Sequence, residues 1–439
     1  MAEIIKKKRI FALLLTLSKS HSAMDFQSLS PVITHVDDNG IVYSYPSSSL
    51  EICRLVLSFD AGSFFQPHPL VADAANRLFS EATLRQSSQQ IAEFLDYRGI
   101  MIEKSKDTYT ADISVYMLRK HAREMIPVLR EMLTEPLFGE QGFEVYKSKT
   151  RQQIATQLRK TSSMAFRLFY ETLYGKGHPL ARFATPDDVD RLSLSEVKDF
   201  FHGHYDIAHA LIVLSGGLDD ATVNSCGASF GGIDAGKGNL VRCSTAPMPL
   251  RQRCVHYPMD SAQTTVRIGR ILPFHWDDKE YAAFMVLNTL LGGYFGSRLM
   301  NNIREDKGYT YGVYSATALS RDDIKFFISM DVGNDVAFAA AEETYNEIDR
   351  LQQELVGVDE LEMVRQYMKG DFIRTVDGVF ERGERFMQMA NNGITELFTQ
   401  NYFDAIEHVS PQDIQRLART YLRKEDLYEI IVGAGVPRQ

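Results

Sequence analysis

The stretch "LMNNIREDKGYTYGVYSATALS", Leu299 to Ser320, runs from a helical pattern into a Lys-Gly stop and on into alternating residues. That order predicts a helix closed by Gly308 and then a strand. An earlier stretch, "IAEFLDYRGIMIEKSKDTYTADIS" from Ile91 to Ser114, has the same order and turns at Gly99. Two copies of one unit, offset by about 210 residues, therefore decide the fold.

The neighbouring segments repeat as well. Each half opens on an apolar strand, "CRLVLSFDAGS" (Cys53 to Ser63) or "TTVRIGRIL" (Thr264 to Leu272), and a helix follows. Long amphipathic helices come after the Gly-stopped unit. Each half then closes with a Ser-capped helix and a last strand, the predicted caps being Ser195 and Ser410, with Pro411 suited to a first turn. Strands with helices gathered on one side predict an α+β fold, with two homologous domains that each pack an antiparallel-rich sheet against helices. The expected boundaries are a leader or extension over 1–29, a first domain over 30–230, a linker over 231–250 and a second domain over 251–439.

Composition agrees with a globular chain of this organisation. The 439 residues are 44% hydrophobic and 24% charged, which supports two cores rather than one. A formal net charge of -9, with no basic patch outside the N-terminus, argues against a nucleic-acid partner. No apolar run approaches the roughly 20 residues of a membrane span. The start, "KKKR" then "IFALLLTL" then "SKSHSA", resembles a short secretory signal, but Lys19 interrupts its exit and Met24 is an alternative start. The expectation is a cytoplasmic protein, or a periplasmic one if residues 1–23 act as a signal. Cys53, Cys226, Cys243 and Cys254 form no CxxC pair and are expected as buried thiols, the alternative being a disulfide among the last three.

Most motif-like segments fail on chemistry. "GGIDAGKG" (Gly231 to Gly238) has Gly238 where a phosphate loop needs a hydroxyl. "HAREM" (His121 to Met125) offers one imidazole where a zinc helix needs two, and "HGH" (His202 to His204) has no acidic residue at ligand spacing. There remains the opening stretch, where Arg298 and Arg304 lie on the predicted helix. Tyr309, Tyr311 and Val313 are expected on one face of the strand. Spacing alone favours a hairpin with aromatic cross-strand pairs.

Together with "AGSFFQP" (Ala61 to Pro67) and "YGKGHPLARFATPDDVDRLSLSEVKDFFHGHY" (Tyr174 to Tyr205), "GYFGSRLMNNIREDKGYTYGVYS" resembles the insulinase or pitrilysin family of zinc metallopeptidases, the inverted zincins. The likeness is to the short, processing-peptidase-like branch and covers nearly the whole chain from about residue 30. It implies an H-x-x-E-H helix after the "AGS" strand and a distal Glu ligand about 77 residues on. Here those positions hold Ala72, Ala75, Asn76 and Gln153, none of which serves zinc, so no metal is expected in this chain. Asp73 and Glu81 are expected to be solvated or capping.

The family's Arg and Tyr, which hold substrate carbonyls near the metal, are retained as Arg304 and Tyr311. The resemblance therefore implies a metal-free subunit of a heterodimeric peptidase. Arg304 and Tyr311 would then serve a homologous zinc-bearing partner in cutting unfolded peptides. The alternative it implies is a structural or peptide-binding homologue without proteolytic role.

Overall fold

The computed structural model describes residues 29–36, 40–234 and 240–436. The leader expected over residues 1–23 and the segment 235–239 of the Gly-rich linker lie outside them.

The first half runs β1 (Val32–Val36), β2 (Gly40–Pro46), β3 (Ile52–Phe59), α1 (Val71–Leu78), α2 (Ser88–Arg98), β4 (Met101–Lys106) and β5 (Ala111–Leu118). It continues through α3 (Ala122–Thr134), α4 (Glu140–Gln157), α5 (Thr161–Tyr174), α6 (Pro186–Arg191), α7 (Leu194–His204), β6 (Leu211–Gly216) and α8 (Asp220–Phe230). The second half has β7 (Cys254–Pro258), β8 (Thr264–Leu272) and α9 (Lys279–Asn288), then two π-helical segments, Thr289–Gly293 and Met300–Asp306. Next come β9 (Thr310–Leu319), β10 (Ile324–Val332), α10 (Ala337–Gln353), α11 (Val358–Arg374), α12 (Val379–Asn392), α13 (Glu396–His408), α14 (Pro411–Tyr421) and β11 (Tyr428–Gly433).

The first sheet has the order β1-β2-β6-β3-β5-β4 and the second β7-β11-β8-β10-β9. Without β1 the two orders correspond strand for strand. In each, one parallel pair (β2 with β6, β7 with β11) sits beside antiparallel ones. The expected α+β fold with an internal repeat is the one observed. Both predicted glycine stops are left-handed, Gly99 at φ +61 and Gly308 at φ +66, a backbone state that L side chains adopt at a cost. Ser410 caps α14 as expected, in a reciprocal pair with Asp413. The cap of α7 is Ser193 rather than Ser195: Ser193 Oγ accepts the Glu196 N–H, which leaves Ser195 inside the first turn.

Alternation along the strands gives each sheet two apolar faces. On one face of the first sheet, Leu55, Leu57, Ile212 and Leu214 pack against the helices of their own half. On the other, Ile41, Tyr43, Val56, Leu211 and Val213 pack against Phe386, Met387 and Ala390 of α12, a helix of the second half. The reverse also holds: Phe169, Leu173 and Tyr174 of α5 cover Tyr428, Ile430 and Val432 of the second sheet. The expected one-sided arrangement of helices is thus true only of each half's own helices. The contact is close enough that a Cβ at Gly383 of α12 would meet Ser215 Oγ at 2.4 Å.

The turn between β9 and β10 fastens this exchange. The Arg321 side chain, only 1% exposed, donates from Nη2 to Asp60 Oδ1 at 2.7 Å and from Nε to the Asn391 carbonyl at 2.6 Å. Its Nη1 donates to the Val241 carbonyl at 3.3 Å, and the guanidinium lies over the Tyr109 ring. Asp322 accepts from Tyr109 and from the Cys243 N–H, while Asp323 accepts from Lys325 Nζ (2.6 Å) and Tyr174 (2.5 Å). All four cysteines are free thiols. Cys53 and Cys226 are buried as expected, whereas Cys243 is half-buried and Cys254 is exposed, because β7 is an edge strand.

Arg321→Ala should lower stability by roughly 3 kcal/mol in chemical denaturation, and Arg321→Lys should not restore it, because an ammonium cannot serve three fixed acceptors. Burial pushes the Asp112 carboxyl up to about 6, against the Ser58 hydroxyl that bonds it and with Glu384 of α12 adding to the rise. A raised carboxyl contributes stability below its ordinary range near 3.8 and loses it as pH rises through about 6. The stability of Asp112→Asn relative to the parent should therefore increase between pH 4 and pH 7. The slope should be at most about 1.4 kcal/mol for each step of one in pH, read from denaturation series at several pH values.

Candidate functional site

The segment between α9 and β9 combines two π-helical stretches with a Gly-rich loop. Wide turns of this kind are rare and often mark functional positions. The second turn is seen directly in the bond from Lys307 N–H to the Asn302 carbonyl at 3.0 Å. Met300 and Ile303 insert into the second core. Buried Asn302 donates from Nδ2 to Glu347 Oε1 (2.6 Å) and Glu343 Oε2 (3.0 Å) on α10, so the turn cannot rotate freely. At its end Gly308 N–H bonds the Arg304 carbonyl and Tyr309 N–H the Ile303 carbonyl, at 3.1 and 3.0 Å. Arg304 and the start of β9 are thereby held in one rigid connection.

The two arginines of this helix are used differently. Arg298 makes a two-pronged pair with Glu360 of α11, Nε at 2.8 Å and Nη2 at 2.9 Å, which commits its fork to structure. Arg304, 32% exposed, lies with its guanidinium carbon 4.7 Å from the Phe295 ring centre. Its Nη1 sits 3.0 Å from Glu305 Oε1, outside hydrogen-bonding geometry, and that buried nitrogen makes no hydrogen bond. Arg304 thus keeps donors uncommitted where Arg298 has given its fork to a carboxylate.

A β-bulge sets the tyrosines apart. Val313 pairs with Met330 and Thr310 with Val332, so Tyr311 and Gly312 together oppose Asp331. Thr310 Oγ1 fills the bulge, donating to the Asp331 carbonyl at 2.7 Å. The predicted common face of Tyr309, Tyr311 and Val313 is therefore broken: Tyr309 packs on the core, Val313 is buried, and Tyr311 is 93% exposed. Tyr314 stands edge-on to Phe327 on the sheet. Tyr311 is the one whose ring and hydroxyl project freely.

The first half places the degenerate positions on α1 and α4. Ala72, Ala75 and Asn76 are buried on α1, and Gln153 is exposed on α4. Asn76 donates from Nδ2 to the Ser105 carbonyl of β4 at 2.7 Å and leaves its buried Oδ1 without a partner. One amide oxygen and two methyl groups are no ligand set for zinc. Among the described residues no three His, Cys, Asp or Glu side chains cluster to hold a metal ion. Asp73 is half-buried and caps nothing: it accepts from the Tyr146 hydroxyl of α4 at 2.8 Å and pairs with Arg77, tying α4 to α1. His204 bonds the Asp60 carbonyl through Nδ1 and stacks on Phe200, in keeping with a structural role for "HGH".

A concavity of about 440 Å³ lies where the halves and the linker meet. Its Tyr174, Asp322 and Asp323 already serve the Arg321 turn, and its His178 accepts the Leu180 N–H at Nδ1 and so donates from Nε2 to the Thr245 carbonyl at 2.9 Å. The sequence points to Arg304 and Tyr311 but not to Phe295, whose one signal is an apolar aromatic inside the Gly-rich "GGYFGS".

Comparison with known proteins places these features. Residues 42–186 match the insulinase model of peptidase family M16, and residues 191–368 match the model described as the M16 inactive domain. The chain is 21% identical over 367 residues to a Bacillus subtilis protein named uncharacterized zinc protease YmxG, covering 82% of this chain and 87% of that protein. It is 25% identical over 252 residues to a Helicobacter pylori protein named non-peptidase homolog YmxG, covering 56% and 57%. A crystal structure of an M16 inactive domain from Pseudomonas fluorescens superposes with a TM-score of 0.79 at 20% identity, over 93% of this chain and 99% of that one. A Helicobacter pylori protease does so at 0.78 and 15%, over 92% and 100%.

The donor chemistry gives a direct expectation. After dialysis against a weak chelator, the purified chain should hold well under one zinc per molecule by elemental analysis. A stoichiometric, chelator-resistant zinc would contradict the reading of Ala72, Ala75, Asn76 and Gln153.

Proposed function

Since this chain belongs to the M16 family of insulinase-type peptidases, we propose that it is a metal-free subunit of a heterodimeric zinc metallopeptidase. In this reading it lends Arg304 and Tyr311 to the active site of a homologous zinc-bearing subunit that cuts unfolded peptides. The observation that carries the reading is the contrast within one short segment. Arg298, Tyr309 and Tyr314 are engaged by packing and pairing, whereas Arg304 is half-buried with a fork that makes no hydrogen bond through Nη1, and Tyr311 is almost fully exposed.

The chemistry follows from those donors. As water adds to a peptide carbonyl, negative charge builds on its oxygen, and a guanidinium and a phenol already aimed there stabilise that charge without reorganising. Polarising the carbonyl and activating the water are metal functions, and in this reading they belong to the other subunit. Gly308 and the Asn302 anchor fix the backbone from which both donors project, so little entropy is lost when they engage.

A second reading, a peptide-binding or structural homologue without proteolytic role, is favoured by the Helicobacter pylori relative whose name denies it peptidase activity. One experiment separates the two. The chain is mixed with a zinc-bearing M16 homologue from the same genome, and cleavage of an unstructured peptide is followed. The first reading expects the mixture to exceed either subunit alone. It also expects Arg304→Ala/Tyr311→Phe to lower kcat roughly 100-fold while the melting temperature and assembly stay unchanged. A mixture no faster than its parts, or full activity of the variant, would leave the second reading.

A further inference from the structure

Resting on that reading, we infer that Phe295 is the positioning residue for Arg304. Phe295 belongs to the loop between the two π-helical segments and is 69% exposed, unusual for a phenylalanine with no apolar cover. Its neighbours do not explain it as packing. Tyr294 turns the other way, onto the Tyr367 ring at 5.0 Å and the Met363 sulfur at 3.9 Å on α11. Phe295 instead offers a ring face to the Arg304 guanidinium, 4.7 Å away.

The alternative position for that guanidinium is close at hand. Glu305 Oε1 lies 3.0 Å from Nη1 but off the hydrogen-bond direction, so a small swing of the Arg304 side chain would convert a loose pair into a bonded one. Such a pair would resemble that of Arg298 with Glu360, and it would turn the guanidinium off the ring and re-aim its remaining donors. A ring face attracts the cation without consuming any N–H. Phe295 therefore holds the Arg304 guanidinium in place while taking up none of its N–H groups, something neither a carboxylate nor an aliphatic side chain does. The Gly-rich loop lets the ring reach this position.

The test uses the reconstituted heterodimer and an internally quenched, unstructured peptide. Phe295→Leu, which keeps bulk and removes the aromatic face, should lower kcat roughly five- to tenfold, with KM changed less than about twofold. Phe295→Tyr and Phe295→Trp should retain the parental rate, and all three should melt with the parent because the residue is exposed. In an Arg304→Ala background, Phe295→Leu should lower the rate no further, since it acts through that arginine. A parental rate for Phe295→Leu, or an equal loss with and without Arg304, would overturn the inference while leaving the role of Arg304 standing. If Arg304→Ala alone costs no activity, the reading beneath it falls as well.

Discussion

The need to cover both faces of two apolar sheets governs this molecule. Neither half can do so alone, because its own helices lie on one face and the remaining face carries residues such as Tyr43, Val56 and Val213 in the first sheet and Ile430 and Val432 in the second. Exposing those faces to water would cost about 25 cal/mol for each Å² of apolar surface. Exchange of α5 for α12 removes that cost, and it makes each half part of the other's core. The pseudo-symmetric repeat in the chain thus becomes a requirement for stability as well as a record of its organisation.

The candidate site depends on the same arrangement at one remove. Strand β9 is an edge of its sheet and carries Tyr311 at one end, while the turn at its other end carries Arg321 into the first half. An edge strand pinned at one end by a buried guanidinium is held in place without a second neighbour. At the Tyr311 end, Asn302 and Gly308 supply the corresponding restraint from the π-helical turn. In this region Arg304 Nη1 makes no hydrogen bond, nor do Ser297 Oγ and Asn302 Oδ1, and the Tyr311 side chain is almost fully exposed. Unused donors on a rigid support are the feature on which the proposed role of Arg304 and Tyr311 rests.

Much of this was legible in the residues. The Gly stops at 99 and 308, the Ser410-Pro411 helix start and the alternating strands are local signals, set by backbone sterics and side-chain period, and they point to the repeat and the α+β fold. That Ala72, Ala75, Asn76 and Gln153 offer zinc no ligand set follows from side-chain identity alone, since a methyl group ligates nothing. Other features resisted. Ser193 and Ser195 both suit a cap, and only the chain path into α7 chooses between them. The alternation from Tyr309 to Val313 was a sound pattern that a bulge overrode, because register depends on pairing with β10, where Tyr311 and Gly312 together oppose Asp331.

By itself the sequence determined the repeated unit and the fold class, and it raised the expectation that Ala72, Ala75, Asn76 and Gln153 hold no zinc and that Arg304 and Tyr311 form the site. Each of these is fixed by residue identity and short-range spacing. Only the tertiary structure decided that α5 and α12 change places, that Arg298 is spent on Glu360 while Arg304 rests on Phe295, and that Tyr311 turns outward. Those outcomes depend on partners distant in the chain, as Glu360 is from Arg298, or on a loop whose path no local rule prescribes. A side chain's chemistry is written in its identity, but whether its donors are free is settled by what folds against it.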